Sequence, residues 1–263
     1  MSVDQHWLRM TFDESPALYD RTRPVCPAQL FDDLVSLAAW PQGARLVEIG
    51  CGTGQATLPL AQRGLAITCL EIGKQLADFA RRKLAAYAKV EVVNTSFEAW
   101  DAAGARFDGI VAVHAFHWID PGLRYAKSAQ LLRDDGVLAI VKSRYVVPDN
   151  ADPFWTEVQE DYDAIRSGLE QEPPLHPDAV GDFGAEIAAS GYFRNVAARR
   201  YLWSVNYTAD EYVTLLSTTS WHRQLDDETR RMLLDRIHRR IEARPDRTVS
   251  PTLLSTLNVA RRL

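Results

Sequence analysis

The chain has 263 residues, 46% of them hydrophobic and 25% charged, with a formal net charge of −5. That size and composition suit one large α/β domain, or a domain with an inserted cap, with a sizeable core and no need of disulfide staples, and the acidic balance argues against a protein held on nucleic acid by phosphate neutralisation. Cys26, Cys51 and Cys69 are scattered, with neither a disulfide framework nor metal-ligand spacing, and no apolar run is long enough to span a bilayer. No charged-then-apolar leader opens the chain, so a cytoplasmic protein with no membrane, nucleic-acid or metal partner is expected, as monomer or homodimer.

The first forty residues form a lead-in. Phe12 and the run Tyr19-Asp20-Arg21-Thr22-Arg23-Pro24 are aromatic, basic and closed by proline, and Pro27 opens an amphipathic helix through Leu30, Phe31, Leu34, Leu37 and Ala38. Strands and helices then alternate. Strands are predicted over 45–49, 66–71, 90–93, 107–113 and 137–141, with helices near 55–63, 74–87 and 123–132, a loop through Ser96, Phe97 and Trp100, and a turn at Asp134-Asp135-Gly136. Short apolar runs alternating with helical segments indicate parallel βαβ units, right-handed connections and a ligand at the carboxyl ends of the strands.

After Lys142 the rhythm breaks. An insert over 148–177 carries Phe154, Trp155, Asp161, Tyr162 and Asp163 and ends in proline-rich sequence from Pro173 to Pro177; it reads as a helix plus loop. A helix near 183–190 precedes a strand over 195–205, with Val196, Tyr201, Trp203 and Val205 available for burial. Helices near 210–218 and 226–243 and a last strand near 253–259 complete the order. Arg230-Arg231 and Arg239-Arg240 share the later helix with Asp226, Asp227, Glu228 and Asp235, which reads as a solvated face.

The most informative stretch is Glu48-Ile49-Gly50-Cys51-Gly52-Thr53-Gly54, between a strand and a helix. Glycines there let the backbone turn tightly and approach a ligand with no Cβ in the way. The dinucleotide fingerprint G-x-G-x-x-G has its third glycine where this chain has Gln55, and the pattern is instead E-x-G-x-G-x-G. A carboxylate two residues before the first glycine suits a ligand carrying an ammonium and a sulfonium rather than a pyrophosphate. Glu71 ends the second strand, seventeen positions after Gly54, where an acid can accept hydrogen bonds from both ribose hydroxyls of an adenosine ligand.

At these residues the chain resembles class I S-adenosylmethionine (SAM) dependent methyltransferases. The resemblance implies an α/β, Rossmann-like, doubly wound seven-stranded, mostly parallel sheet with helical cap insertions. It implies a single domain over 1–263, with a core at about 40–147 and 181–263 and a cap from 1–26, 148–180 and 208–247. It also implies SAM as cofactor, S-adenosylhomocysteine as product and a small-molecule methyl acceptor. The Gly50, Gly52 and Gly54 loop and Glu48 would face the methionine half of SAM, Glu71 the ribose, and Ile72 the adenine. The family often has an acid at the position of Ser96; its replacement by serine leaves Ser96 or the Phe97 backbone to meet the adenine. Tyr19 and Arg23 match a Tyr-x-x-x-Arg-Pro lid segment, in which the arginine can pair with the SAM carboxylate.

His114-Ala115-Phe116-His117-Trp118 follows the fourth strand, and its His-Trp pair resembles a small-molecule branch that includes trans-aconitate and natural-product methyltransferases. His114 is the first choice for a general base and also borders the cofactor. His117 is the second, the alternative being that it satisfies backbone groups while Trp118 packs in the core. Trp118, Tyr145, Trp155, Trp221 and His222 are the candidates to face the acceptor. Two rivals stand beside methyl transfer: a SAM-binding protein of this fold with a non-methylating reaction or a non-catalytic role, and an RNA or protein methyltransferase, which the acidic charge disfavours. Walker, H-E-x-x-H and G-x-S-x-G patterns are absent.

Overall fold

The computed structural model of the chain describes residues 13, 15–165 and 174–263. Among them lies a seven-stranded sheet in which β1 (Arg45–Ile49) pairs in parallel with β2 (Ala66–Glu71) and with β4 (Phe107–Val113). β3 (Val90–Asn94) extends the β2 edge, and β5 (Leu132–Val146) lies beside β4. The final strand of the chain, β9 (Thr252–Arg262), runs antiparallel between β5 and β6 (Phe193–Ser204). The order is β3-β2-β1-β4-β5-β9-β6, a doubly wound sheet with its reversal beside β1. Phe12 and the first part of the lead-in, and Pro173 in the insert, lie outside the described residues, and of Val196 only the backbone is described.

The central strands are largely apolar because helices cover both faces of the sheet. Leu46 and Val111 face one layer, which holds Leu30, Phe31 and Leu34 of α2 (Ala28–Ala38) and Leu60 of α3 (Thr57–Gln62). Val47, Ile49, Ile110 and Ala112 face the other, with Phe116, Tyr125, Phe183 and Ile187. The period of two along each strand sends neighbouring residues to opposite layers. Gly109 marks the tightest point. The indole of Trp40 packs against it, and a Cβ there would sit 2.7 Å from Trp40 Cε2 and 2.8 Å from Leu46 Cδ2. Gly109→Ala is therefore expected to destabilise the fold by about 1–3 kcal/mol, the usual cost of overpacking, read as a lowered midpoint in urea with unchanged slope.

A third apolar cluster gathers the late helices: α9 (Ala209–Ser217), α10 (Ser220–Arg223) and α11 (Asp227–Glu242), with α6 (Phe154–Glu157) and α7 (Gln159–Ile165) of the insert. Phe154, Tyr207, Tyr212, Leu215, Leu233 and Ile237 form its centre. Thr208 and Glu211 make a reciprocal capping box on α9, and the Asp226 carboxylate accepts from the Thr229 amide at the start of α11.

Three details differ from the sequence reading. β5 begins at Leu132 and takes in Asp134-Asp135-Gly136; Asp135 adopts φ +59, which aspartate tolerates, and the register against β4 shifts between Phe107 and Gly109, so the strand kinks instead of ending. Two-residue strands β7 (Tyr207–Thr208) and β8 (Thr248–Val249) pair with each other and are too short to leave a periodic signal. The basic cluster on α11 is not wholly solvated: Asp161 is buried, with its oxygens 2.6 Å from Arg240 Nε and 3.2 Å from Arg236 Nε, which ties the insert to α11.

Candidate active site

Carboxyl ends of β1, β2, β4 and β5 open into one cavity of about 450 Å³, a usual size for a small-molecule site. Its first wall is the loop after β1. Gly50, Gly52 and Gly54 all have positive φ, at +67, +56 and +80, which is why the three positions are glycine. They do different work. A Cβ on Gly50 would meet Ala115 Cβ at 2.7 Å, and one on Gly54 would meet Leu84 Cδ1 at 2.8 Å, so these two let the loop pack. A Cβ on Gly52 would meet nothing closer than Tyr19 Cε1 at 4.0 Å, so Gly52 leaves open space along the cavity wall.

Glu48 and Glu71 are both nearly inaccessible to solvent. Thr57 donates to Glu48 Oε2 at 2.6 Å, and burial pushes the Glu48 pKa up to about 7, against the pull of that hydrogen bond and with a push from Glu71. An acid whose pKa rises from its usual value to about 7 on folding releases its proton on unfolding, so it costs stability once pH exceeds the ordinary carboxylate range, and the cost is full above pH 7. Glu48→Gln is accordingly expected to raise the unfolding free energy at pH 8 by up to ~3 kcal/mol and to change it little at pH 4.5, as read from urea melts at the two pH values. Glu71 accepts from the Gly52 amide through Oε2 and the Gly73 amide through Oε1, both at 2.8 Å. Burial raises its pKa as well, partly offset by those amides. Each oxygen keeps a lone pair for a ligand hydroxyl.

α1 (Pro16–Thr22) lies across the loop. Gln55 Nε2 donates to the carbonyls of Asp20 at 3.0 Å and Arg23 at 3.3 Å, so the residue that breaks the dinucleotide fingerprint tethers the lead-in. Arg23 stacks over the Tyr19 ring, 5.1 Å from its centroid, and donates to the Thr218 carbonyl at 2.6 Å. Tyr19, Arg23, Ile72, Ser96 and Phe97 all line the cavity, and Ser96 Oγ accepts from the Ala99 amide at 3.1 Å. Thr53 Oγ1 is buried at the cavity wall with no hydrogen-bond partner among the described residues.

Across the cavity stand His114, His117, Trp118 and Tyr145. His114 has φ +58, which turns its ring back over β5; Nδ1 accepts from the Ser143 amide at 3.2 Å and Nε2 lies 3.8 Å from Cys26 Sγ. An Nδ1 that accepts puts the ring proton on Nε2, so neither nitrogen has a free lone pair aimed into the cavity. Its enclosed position and then Arg23 pull its pKa down to about 4. His117 stacks beside Trp118 with ring centroids 4.9 Å apart. Enclosure, then Lys142, His114, Arg124 and Arg144, lower its pKa to about 4 as well. Burial pushes the Tyr145 hydroxyl up to about 12.

The structure brings Trp118 and Tyr145 to the cavity but places the other aromatic candidates in the late cluster. Trp155 packs edge-on against Phe154 at 5.0 Å and near Tyr212. Trp221 packs against Tyr162, and His222 is buried between the Tyr162 hydroxyl at 3.0 Å and Thr219 Oγ1 at 2.6 Å. That aromatic run follows the apolar face of a short helix, so it fills a core and does not line the cavity. Lys142, Ser143 and Arg144 do line it and were missed. The signal was available: they follow the apolar run of β5, at the carboxyl end of a parallel strand.

A family model described as a methyltransferase domain matches residues 47–140, from β1 into β5. An uncharacterized methyltransferase of Mycobacterium bovis is 28% identical over 54% of this chain and 55% of its own length. A magnesium-protoporphyrin O-methyltransferase of Rhodobacter capsulatus is 34% identical over 36% of this chain and 39% of its own length. The chain thus spans about half the length, or less, of these curated relatives. A solved putative type II methyltransferase from Anaeromyxobacter dehalogenans shares the fold with TM-score 0.60 at 21% identity, covering 91% of this chain and 96% of that one. No helix among the described residues is long and apolar enough to cross a membrane. The glycine loop with its two acids, the strand order and the match over 47–140 together make this chain similar to methyltransferase domains of the class I SAM-dependent type.

Proposed function

We propose that the chain transfers a methyl group from SAM to a small-molecule acceptor. The observation that supports this most is that one cavity joins the Glu48–Gly54 loop and Glu71 to the His117, Trp118 and Tyr145 wall. The residues fit the cofactor: Glu48 and Glu71 offer carboxylate oxygens, Gly52 leaves the wall open, and Thr53 Oγ1 is buried without a partner.

When bound, SAM supplies a methyl group already activated on a sulfonium. The rest is the work of this chain. Glu48, held by Thr57 through one oxygen, keeps the other for the cofactor's ammonium. Glu71 receives the ribose hydroxyls while it braces the loop through the Gly52 and Gly73 amides. Tyr19 and Arg23, tied down by Gln55, cover the cavity and keep water from the reacting atoms. For a hydroxyl or thiol acceptor, His117 takes the proton, because no hydrogen bond among the described residues engages its ring, whereas His114 Nδ1 is held by Ser143. His114 then serves to hold the β4 end against β5.

Binding of the ammonium requires ionised Glu48, whose pKa is about 7. Affinity for S-adenosylhomocysteine is therefore expected to rise roughly tenfold from pH 6 to pH 8, as measured by calorimetry, and to lose that slope in Glu48→Gln. The reading as a whole is tested with methyl-labelled SAM and a metabolite extract. Label in a small organic product supports it, and cofactor binding without transfer to any acceptor counts for a non-methylating role.

A further inference from the structure

Lys142 and Arg144 sit two residues apart at the carboxyl end of β5, so they point to the same face of the sheet, and both line the cavity. Neither has a carboxylate partner within ion-pair distance among the described residues. The acid nearest in effect to Lys142 is Glu186, and its carboxylate is engaged by Arg124. Glu48 and Glu71, the two acids that line the cavity, belong to the other wall, where Thr57 and the Gly52 and Gly73 amides hold them. Lys142 is half-buried, with its ammonium 5.6 Å from the centroid of the Phe183 ring. Burial and then Arg144 lower its pKa, as expected of a cation that lacks a counter-ion. The lining of the same cavity also includes the apolar and aromatic side chains of Trp118, Ile119, Tyr145 and Leu253. A site with two uncompensated cations and an apolar wall is complementary to an anion on a carbon skeleton.

We propose that the methyl acceptor is an organic acid, whose carboxylate is bound by Lys142 and Arg144 while its carbon skeleton lies against Trp118 and Tyr145. This rests on the methyl-transfer reading of the same cavity. It has a consequence for His117. The charges that depress its pKa besides its enclosure are Lys142, His114, Arg124 and Arg144. A carboxylate that neutralises the two β5 cations restores basicity to the imidazole beside the acceptor, so an uncharged compound in the same place meets a weaker base.

The test uses the full chain saturated with S-adenosylhomocysteine and three matched sets: cinnamate, 4-hydroxybenzoate and hexanoate, the corresponding amides, and phosphate monoesters of comparable skeletons. Binding is followed by tryptophan fluorescence and transfer by labelled SAM. At least one carboxylate is expected to bind or be methylated at least tenfold better than its amide. Lys142→Met, which keeps the stem against Phe183, and Arg144→Gln should each weaken that acid about tenfold or more, with affinity for S-adenosylhomocysteine and melting temperature unchanged. Preference for amides, amines or phosphate monoesters, no carboxylate bound at all, or acid affinity untouched in both variants overturns the proposal. Failure of the wild-type chain to bind S-adenosylhomocysteine would instead remove the methyl-transfer reading beneath it.

Discussion

Gly52→Val is expected to reduce S-adenosylhomocysteine binding below detection while the chain stays folded. The φ of +56 at Gly52 lies in a region that a β-branched residue adopts only under strain, costing on the order of 1–3 kcal/mol. The added side chain would enter the open space between the loop and Tyr19, whose ring is 4.0 Å from the Cβ position. The same change threatens the Gly52 amide, which donates to Glu71 at 2.8 Å, so the acid assigned to the ribose would lose its orientation with the wall. Gly50→Val is a different experiment: a Cβ 2.7 Å from that of Ala115 disturbs the packing of the β1 and β4 ends, and lost binding there would report misfolding. Calorimetry with a circular-dichroism melt separates the two. Binding by folded Gly52→Val at wild-type affinity would place the cofactor away from this loop.

His117→Ala is expected to lower turnover of a hydroxyl or thiol acceptor by ~10²–10⁴-fold with cofactor affinity unchanged, the range usual for loss of a general base. His114→Ala should cost less than about tenfold in turnover and lower the melting temperature, because it leaves the Ser143 amide without its 3.2 Å acceptor. With a pKa of about 4, His117 in the free protein is unprotonated across the neutral range, so at saturating SAM kcat/KM should stay level between pH 6 and pH 8. Unchanged turnover in His117→Ala would mean that the nucleophile reaches the site already ionised. A larger loss in His114→Ala than in His117→Ala would restore His114 as the base.

The contrast between these two histidines shows what the sequence could and could not convey. Both follow β4 within four positions, and the position of His114 nearer the strand end made it the natural choice. Its role depends on a partner twenty-nine residues away, the Ser143 amide, and on a left-handed backbone that turns the ring toward β5. The aromatic candidates divide for the same reason. Trp118, on a short turn just after β4, and Tyr145, near the end of β5, reach the cavity; Trp155, Trp221 and His222 lie on helices of the late cluster whose apolar faces close on one another.

Local pattern alone specified the alternating strands and helices, the three positive-φ glycines and the acids Glu48 and Glu71, because backbone periodicity and left-handed conformations constrain residue type within a few positions. The parallel order followed from that alternation, since crossover helices leave few other arrangements. Only the folded chain decided the rest. It set Gln55 as the tether of the lead-in, joined Asp161 to Arg236 and Arg240, and left Lys142 and Arg144 with no acid partner at the cavity among the described residues. Each of these depends on which side chains meet across long sequence separations, and side-chain charge and hydrogen-bonding capacity are satisfied in space, with no periodic trace along the chain.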